Sequence, residues 1–228
     1  MKRFSIGKIE APVFKQAQVY EQLKNAILYA QFEAGTVLSI RTLATSLGTS
    51  TMPVREAATR LIAEGALEAL PNKGLRLPVL NADEARDIFR VRVVLEGMAA
   101  RLAAERITPR EIEELETYES QLERCLEKGQ IEDALRANVQ FHLQLYRASR
   151  STTLVALIEA LYLRYAPTVY TSVRLLPGSK SERAKFIREH HAALLQALRR
   201  RDPRAAHAAL KRDLTDFLNP KRPSRSKT

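Results

Sequence analysis

The sequence has a single cysteine, and this scarcity limits the kinds of protein it can encode. Cys125 cannot form a disulfide within the chain, which fits a reducing compartment. No apolar run approaches the roughly 20 residues that a membrane-spanning helix needs. The first 14 residues, MKRFSIGKIEAPVF, contain no apolar signal-peptide core. We therefore expect a cytoplasmic protein that does not enter a membrane.

Sequence motifs of several enzyme classes are also missing. There is no glycine-rich phosphate loop, no nucleophile motif and no separate general base at a defined spacing. The alternation of apolar and polar residues that is typical of β-strands does not recur after Val79. What remains is a chain of 228 residues, 45% hydrophobic, with room for one large domain or two smaller ones.

The net charge is +11, and basic residues exceed acidic residues in every part of the chain. Residues 1–80 carry 10 Lys and Arg against 6 Asp and Glu, residues 81–218 carry 23 against 20, and residues 219–228 carry 4 against none. A cationic surface attracts polyanions. Charge alone is equally compatible with RNA, duplex DNA or an anionic membrane, so local motifs have to decide.

Two short amphipathic segments joined by a tight break form the most informative stretch. The first is predicted to begin after the N-cap Ser39 and to end at Gly48. The second begins at Ser50 or Thr51 and has Pro53 in its first turn. Its predicted inner face consists of apolar side chains: Val54, Ala57, Ala58, Leu61 and Ile62. This arrangement predicts a helix-turn-helix.

Residues 67–70 and 75–79 are then predicted to pair as strands around Pro71-Asn72-Lys73-Gly74. The hairpin completes a winged helix, a fold that reads DNA. Arg55 is predicted to contact a base, because Arg is the usual reader of guanine. Contacts with phosphates or flanking bases are predicted for Arg41, Ser50, Thr51 and Arg60, with a plain surface charge as the alternative for Arg60. Asn72 and Lys73 are predicted to enter the minor groove.

The rest of the chain is predicted to be helical. One helix over residues 13–32 is expected to support the helix-turn-helix, and the wing is expected to end near Leu80. Six later segments are bounded by proline, glycine and serine breaks: 82–106, 109–128, 131–148, 152–173, 181–201 and 203–218. We predict a mainly α protein with a winged helix-turn-helix domain over 1–80, an antiparallel helical bundle over 81–218 and a disordered basic tail over 219–228.

Residues 35–78 resemble the DNA-binding domain of GntR-family bacterial transcription regulators. The shared residues are Leu43-Ala44, Leu47-Gly48, Pro53-Val54-Arg55-Glu56-Ala57, Leu61, Glu64-Gly65, Pro71-Asn72 and Gly74. Thr51 stands where the family usually has Arg, so one contact with DNA is expected to differ. The resemblance implies a homodimer that reads a pseudo-palindromic site in double-stranded DNA, most often as a repressor.

A polar cluster is predicted inside the bundle. Asn138 and His142 share one face of a predicted helix, and His191 and Asp213 lie on two others. Facing helices of a bundle bring such side chains together in the core. The residues alone leave two readings open, a ligand-binding cluster or core histidines with satisfied hydrogen bonds.

Residues 83–217 resemble the all-helical FCD effector domain of one GntR subfamily. The resemblance rests on Arg92, Leu95-Glu96, Ala99-Ala100, the NxxFH run from Asn138 to His142, and His191. Many members hold a divalent metal with one Asp and three His at these spacings. Asn138 replaces the Asp here, and Asp213 replaces the last His. The resemblance implies Zn²⁺, Ni²⁺ or Mn²⁺ on Asn138, His142, His191 and Asp213, with a small carboxylate as effector.

Arg92 is the first candidate to contact that effector, and an ion pair with Glu96 is the alternative. Arg164 and Tyr146 are further candidates, with packing inside the bundle as their alternative. His190 and His207 fall outside the family pattern and are predicted to lie at the surface.

Two other functions stay open at this point. The same regulator with a metal-free pocket would bind a bulkier ligand such as an acyl-CoA, which Asn138 favours and the two retained histidines disfavour. A metal-dependent enzyme would use His142, His191 and Asp213 to activate a bound water. Because no motif supports catalysis, we predict that the protein is not an enzyme.

Overall fold

The computed structural model describes residues 13–29, 31–71, 74–175 and 180–218. Within these ranges the helices are α1 Val13–Leu28, α2 Ile40–Ser46, α3 Thr51–Ala63, α4 Ala82–Arg106, α5 Pro109–Lys128, α6 Ile131–Ala148, α7 Thr152–Leu175, α8 Lys180–Arg199 and α9 Pro203–Leu218. The strands are β1 Val37–Ser39, β2 Glu68–Ala69 and β3 Gly74–Arg76. The predicted fold class, a winged helix-turn-helix followed by an all-helical bundle, is confirmed.

The two helices of the helix-turn-helix begin and end near the capping residues that the sequence predicts. The Ser39 side chain accepts a hydrogen bond from the backbone N–H of Thr42 at 3.5 Å, which caps α2. Gly48 has φ of 61°, the left-handed conformation in which a side chain is strained, and the chain turns there into α3. Of the predicted inner face of α3, four side chains are buried and Ile62 is half-buried: Val54, Ala57, Ala58 and Leu61.

The wing contains one strand more than the sequence predicts. β3 lies between β1 and β2, antiparallel to both, with Leu38 opposite Leu75 and Glu68 opposite Arg76. β1 has only three residues, too few for a periodic pattern, and it exists because β3 offers it backbone hydrogen bonds. The predicted wing-tip contacts of Asn72 and Lys73 lie outside the described residues.

The bundle helices α4, α5, α6 and α9 have the predicted bounds. Capping boxes at Asn81 and Thr108 begin α4 and α5, and Gly129 ends α5 with φ of 74°. α7 continues through Pro167 as far as Leu175. The prediction for α1 ran four residues too far, because the helix ends at Leu28 before the chain turns toward β1.

The winged helix packs directly onto α7 of the bundle. Lys24 Nζ of α1 lies 2.8 Å from Glu159 Oε2 of α7, and both side chains are only 18% exposed. Gly65, just after α3, lies against Arg164, and a Cβ at Gly65 would be 3.2 Å from Arg164 Cδ. One continuous cluster of buried apolar side chains runs from α1 and α3 into α7 and the bundle. The predicted tail over residues 219–228 lies outside the described residues.

Candidate functional site

The outer face of α3 carries most of the predicted DNA contacts. Ser50 takes the extended N-cap conformation, and Thr51 and Arg55 are exposed opposite the buried face. The Arg55 guanidinium makes no hydrogen bond or ion pair with any described residue, so its donors are free for a ligand. Arg41, at the start of α2, is also exposed.

Met52 is a residue of this face that sequence reasoning missed. Its side chain is 61% exposed in the first turn of α3, between Thr51 and Arg55. An exposed apolar side chain at this place suits the methyl group of a thymine base. The signal in the sequence was a large apolar residue on the otherwise polar side of the helix.

Arg60 has partners inside the protein, unlike Arg55. Its Nε lies 3.0 Å from Glu64 Oε1, and its guanidinium sits 3.6 Å from the centre of the Tyr20 ring. The Tyr20 hydroxyl, at 2.9 Å from both Glu64 oxygens, also donates to that carboxylate. Arg60 therefore ties α3 to α1, and the DNA contact predicted for it stays a prediction.

Three of the four predicted metal ligands come together in the bundle. His142 of α6, His191 of α8 and Asp213 of α9 each offer one ligand atom, and these atoms all lie within 4.8 Å of one another. His142 Nε2 and Asp213 Oδ2 are 3.4 Å apart. Asn138, one turn before His142 on α6, lines the same cavity. His142, His191 and Asp213 thus lie close together, and Asn138 lines the cavity that His142 and Asp213 also line; their role as metal ligands stays a prediction.

His191 has an unsatisfied nitrogen that points to a missing partner. Its Nδ1 bonds to the Glu119 carboxylate of α5, while its buried Nε2 has no hydrogen-bond partner among the described residues. The ring is 1% exposed and stacks on Phe141 at 4.1 Å between ring centres. A buried unsatisfied imidazole nitrogen is costly in an apolar core. A metal ion near His142 and Asp213 would satisfy it, so the donor set fits the implied metal.

The hydrogen bond at Nδ1 of His142 and of His191 determines the tautomer of each ring. Tyr146 Oη donates to Glu96 Oε2 at 2.5 Å and lies 3.3 Å from His142 Nδ1. Since its one proton goes to Glu96, the Tyr146 oxygen accepts from the Nδ1–H of His142. The lone pair on His142 Nε2 then faces Asp213. Glu119 holds His191 in the same way, an arrangement typical of metal-binding histidines.

The protonation of the cluster follows from its burial. Burial, with the nearby charges of His191 and Arg92, lowers the pKa of His142 well below its ordinary value, so this ring is neutral. Burial alone would lower the pKa of His191, but the Glu119 hydrogen bond and charge raise it. Burial raises the pKa of Asp213, although His191 opposes the shift. Since a metal ion binds only the deprotonated nitrogen, it would compete with a proton at His191.

Arg92 forms the ion pair with Glu96 that was the alternative to an effector contact, and the effector contact stays a prediction. Its Nε lies 2.5 Å from Glu96 Oε1, and its guanidinium sits 5.2 Å and 4.6 Å from the ring centres of Tyr162 and Tyr165. Arg92 also lines the cavity beside His142. Its charge is thus already balanced by Glu96 before any ligand arrives.

The cavity itself is small and has aromatic walls. Its volume is about 40 Å³. It is lined by Phe89, Arg92, Asn138, His142, Tyr162, Tyr165, Phe186, Ile187, Asp213 and Leu214. This space has room for a metal ion and a few waters, and a larger ligand would need the helices to separate.

The structure does not bring the other two effector candidates to the cavity wall. Tyr146 is fully buried behind His142 and bonds to Glu96. Arg164 lies at the contact with the winged helix, against Gly65. The surface position predicted for His190 is wrong: it is 5% exposed, with Nε2 at 3.0 Å from Asp216 and Nδ1 at 2.8 Å from the Phe186 carbonyl. His207 is half-buried against Gly97.

Replacing Tyr146 by phenylalanine should lower the free energy of unfolding by about 1.5–3 kcal/mol, the usual contribution of a hydrogen bond to a charged group. The ring packing stays, but Glu96 loses a donor and His142 loses an acceptor. Denaturant unfolding measures the change. Tyr118→Phe is the matched control, because the Tyr118 hydroxyl has no hydrogen bond to a described residue. Equal stability of the two variants would contradict this assignment.

Among the described residues, no helix is both long and apolar enough to cross a membrane.

Family models match both parts of the chain. Residues 15–77 match the bacterial regulatory proteins of the gntR family, and residues 87–216 match the FCD domain. The HTH-type transcriptional regulator McbR of Escherichia coli K12 is 32% identical over 185 residues, covering 81% of this chain and 82% of McbR. The HTH-type transcriptional repressor RspR of the same strain is 24% identical over 200 residues, covering 88% and 86%.

The solved structure of E. coli McbR/YncC has a TM-score of 0.83 and 29% identity, covering 90% of this chain and 95% of that one. The predicted resemblance is therefore confirmed over both domains. With its winged helix and its FCD effector domain, this chain belongs to the GntR family of bacterial transcription regulators.

Proposed function

We propose that this protein is a repressor that binds operator DNA as a homodimer and senses a small organic acid through a divalent metal ion in the bundle. The observation that carries the proposal is the buried, unsatisfied His191 Nε2 beside His142 and Asp213. The domain limits 1–80 and 81–218 assign DNA reading to the first part and sensing to the second.

The metal ion would be held by His142, His191 and Asp213, with the Asn138 amide as a fourth group. Two imidazoles, a carboxylate and an amide oxygen suit Zn²⁺, Ni²⁺ or Mn²⁺. When bound, the ion supplies positive charge and an open coordination position for a carboxylate. The chain's part is to hold both imidazoles with Nε2 inward, through Tyr146 and Glu119.

The charges around the cavity support an acidic effector whose binding depends on the metal ion. Arg92 is paired with Glu96, and Asp213 adds another carboxyl group. An acidic ligand therefore meets no surplus positive charge in the metal-free cavity. The volume of about 40 Å³ favours a small acid over a ligand of acyl-CoA size.

A repressor role is supported by the name of RspR, a relative called a transcriptional repressor. Control of a repressor by its effector requires that the effector change the affinity for DNA, and the fold offers a route for this. Tyr162 and Tyr165 of α7 lie beside Arg92, while Glu159 and Arg164 of the same helix contact the winged helix. A shift of α7 on ligand binding would move the DNA reader.

Replacing Glu159 by alanine should weaken the coupling between effector and operator by about 0.5–2 kcal/mol. The variant loses the Lys24 pair between α1 and α7, and a longer pair with Arg147 of α6 at 3.5 Å, but keeps both sites. Operator affinity measured with and without metal and acid gives the coupling. Glu123→Ala is the matched control, since Glu123 pairs with Arg188 within the bundle. If both variants respond like the wild type, α7 does not carry the signal through this contact.

The proposed function is tested on one purified preparation of the full chain. Metal content is measured by mass spectrometry, and thermal stability is measured with small organic acids, with and without a chelator. We expect one metal ion per chain and an acid that stabilises only the metal-loaded protein and lowers operator affinity. A metal-free protein stabilised by a ligand despite chelator would contradict the metal sensor and favour the metal-free pocket. Consumption of the acid would indicate an enzyme instead.

A further inference from the structure

The outer face of α3 carries one large apolar side chain that packing inside the protein does not explain. Met52 is 61% exposed and belongs to neither of the apolar clusters found among the described residues. Val54 and Leu61 of the same helix are fully buried, as apolar side chains of an amphipathic helix usually are. A contact outside the chain is therefore the better account of a methionine at this position.

Met52 lies in one row along the helix with Arg55 and Thr59. The three residues follow one another at steps of three and four, and all are exposed. The Thr59 hydroxyl donates to the Arg55 carbonyl at 2.9 Å, so its proton is already used inside the helix. Arg55 is then the strong hydrogen-bond donor of the row, and what Met52 adds to it is an apolar contact.

The start of α3 is suited to an anion. No acidic residue occupies its first turn, and the side chain of the N-cap Ser50 makes no capping hydrogen bond. The positive end of the helix dipole is therefore left without a compensating group on this helix. A DNA phosphate held there would bring Met52, in the same turn, beside the base edges of the major groove.

The chemistry of the base edges identifies what Met52 can read. In the major groove thymine offers a methyl group, whereas the edges of the other three bases offer hydrogen-bond donors and acceptors. A methionine pressed against such a polar edge removes water without supplying a hydrogen bond, which is unfavourable. Against a methyl group, two apolar surfaces leave water together. Met52 therefore favours thymine and disfavours the other bases.

The spacing of the two side chains places that thymine relative to the guanine. Met52 and Arg55 are three residues apart, which is about 4.5 Å along a helix axis. Neighbouring base pairs are about 3.4 Å apart along DNA. The two side chains thus reach base pairs that are next to each other.

We infer that Met52 is a specificity-determining residue that reads the methyl group of a thymine beside the guanine contacted by Arg55. The inference rests on the proposed operator binding and on the base contact predicted for Arg55, and it adds a second base to each half-site. Since the contact is apolar and touches no phosphate, it contributes to specificity without changing the salt dependence of binding.

The test uses an operator duplex selected from random DNA with the full-length wild-type chain. Each thymine of the half-site is replaced in turn by deoxyuridine, which removes the methyl group and keeps the hydrogen-bonding pattern. At the thymine beside the guanine, wild-type affinity should fall by about 3- to 5-fold per half-site, the effect of one methyl group that is no longer buried. The slope of log affinity against log salt should not change.

Three variants separate the role of Met52 from a general loss of binding. Met52→Ala should bind the thymine and deoxyuridine duplexes equally well, while Met52→Leu should keep the preference because leucine is also apolar. Val79→Ala is the matched control: Val79 is 62% exposed and lies outside α3, so this variant should keep the wild-type preference. Circular dichroism verifies that each variant is folded.

The possible failures can be told apart. If wild type and Met52→Ala respond alike to deoxyuridine at every thymine of the half-site, Met52 does not read a methyl group, although operator binding stands. A wild-type chain that selects no sequence from random DNA would overturn the proposed operator binding, and this inference with it.

Discussion

Replacing Arg55 by alanine is expected to remove most of the sequence specificity of operator binding. The guanidinium stands free on the outer face of α3, where a recognition helix meets base edges. A bidentate contact with guanine contributes about 1–3 kcal/mol of discrimination, roughly 5- to 150-fold per half-site. In the proposed homodimer this arginine would meet both half-sites, so the two effects would combine. Competition between the selected operator and random DNA measures the effect.

Arg41→Ala is the matched comparison for Arg55→Ala. A phosphate contact carries no sequence information, so this variant should bind all DNA more weakly and keep the ratio between operator and random DNA. The slope of log affinity against log salt should fall by about 1 for each phosphate that the variant no longer neutralises. An Arg55→Ala variant with unchanged specificity would refute its role as a base reader.

Replacing His191 by alanine is expected to abolish binding of the metal ion. The ring supplies the buried Nε2, which has no hydrogen-bond partner in the described part of the chain, and removing it leaves two strong donors, His142 and Asp213. Glu119→Gln should weaken metal binding by about 10- to 100-fold, as expected when the group that orients a metal-binding imidazole is altered. Isothermal titration with Zn²⁺, Ni²⁺ and Mn²⁺ measures both.

The pH dependence of metal binding has a definite sign. Glu119 raises the pKa of His191, so lowering the pH through that raised pKa adds a proton that the metal must displace. Metal affinity should therefore fall as the pH falls.

His207→Ala serves as the control for His191→Ala, because His207 packs against Gly97 outside the cluster. Wild-type affinity in His191→Ala would contradict the site.

Asn138→Asp tests the main departure from the family pattern. A carboxylate is a stronger ligand than an amide oxygen, so this variant should bind the metal more tightly than the wild type. If affinity does not change, Asn138 is a wall of the cavity and not a ligand.

The sequence predicts most helix limits because local chemistry determines them. Asn81 with Glu84, and Thr108 with Glu111, begin α4 and α5 through contacts within one turn. β1 depends on a partner strand nearly 40 residues away, which no local pattern reports. Sequence distance also hides site residues, because Glu119 bonds to His191 across 72 residues of the chain.

His190 and Arg164 show the same limit at single positions. His190 is buried only because α9 brings Asp216 to it, a contact across 26 residues. Arg164 lies at the winged helix because Gly65, about 100 residues earlier in the chain, leaves room for it. Resemblance supplied the metal cluster, since His142, His191 and Asp213 are not neighbours in sequence. Tertiary packing, and not local sequence preference, determines where these side chains lie.

The continuous core between the winged helix and the bundle has a consequence for the evolution of this regulator. Buried side chains of α1, α3 and α7 form one cluster, so the two parts should melt in a single cooperative transition. Replacing the winged helix by that of a distant relative would remove the α1 and α3 side chains from this shared core. Lys24 would lose Glu159, and a reader with another residue at position 65 would place a Cβ 3.2 Å from Arg164 Cδ on a backbone with φ of 72°, which strains a side chain. Recombination therefore favours exchange of the winged helix together with α7. Because α7 also supplies Tyr162 and Tyr165 to the cavity wall, a change in operator preference would come with a change in the residues that line the cavity.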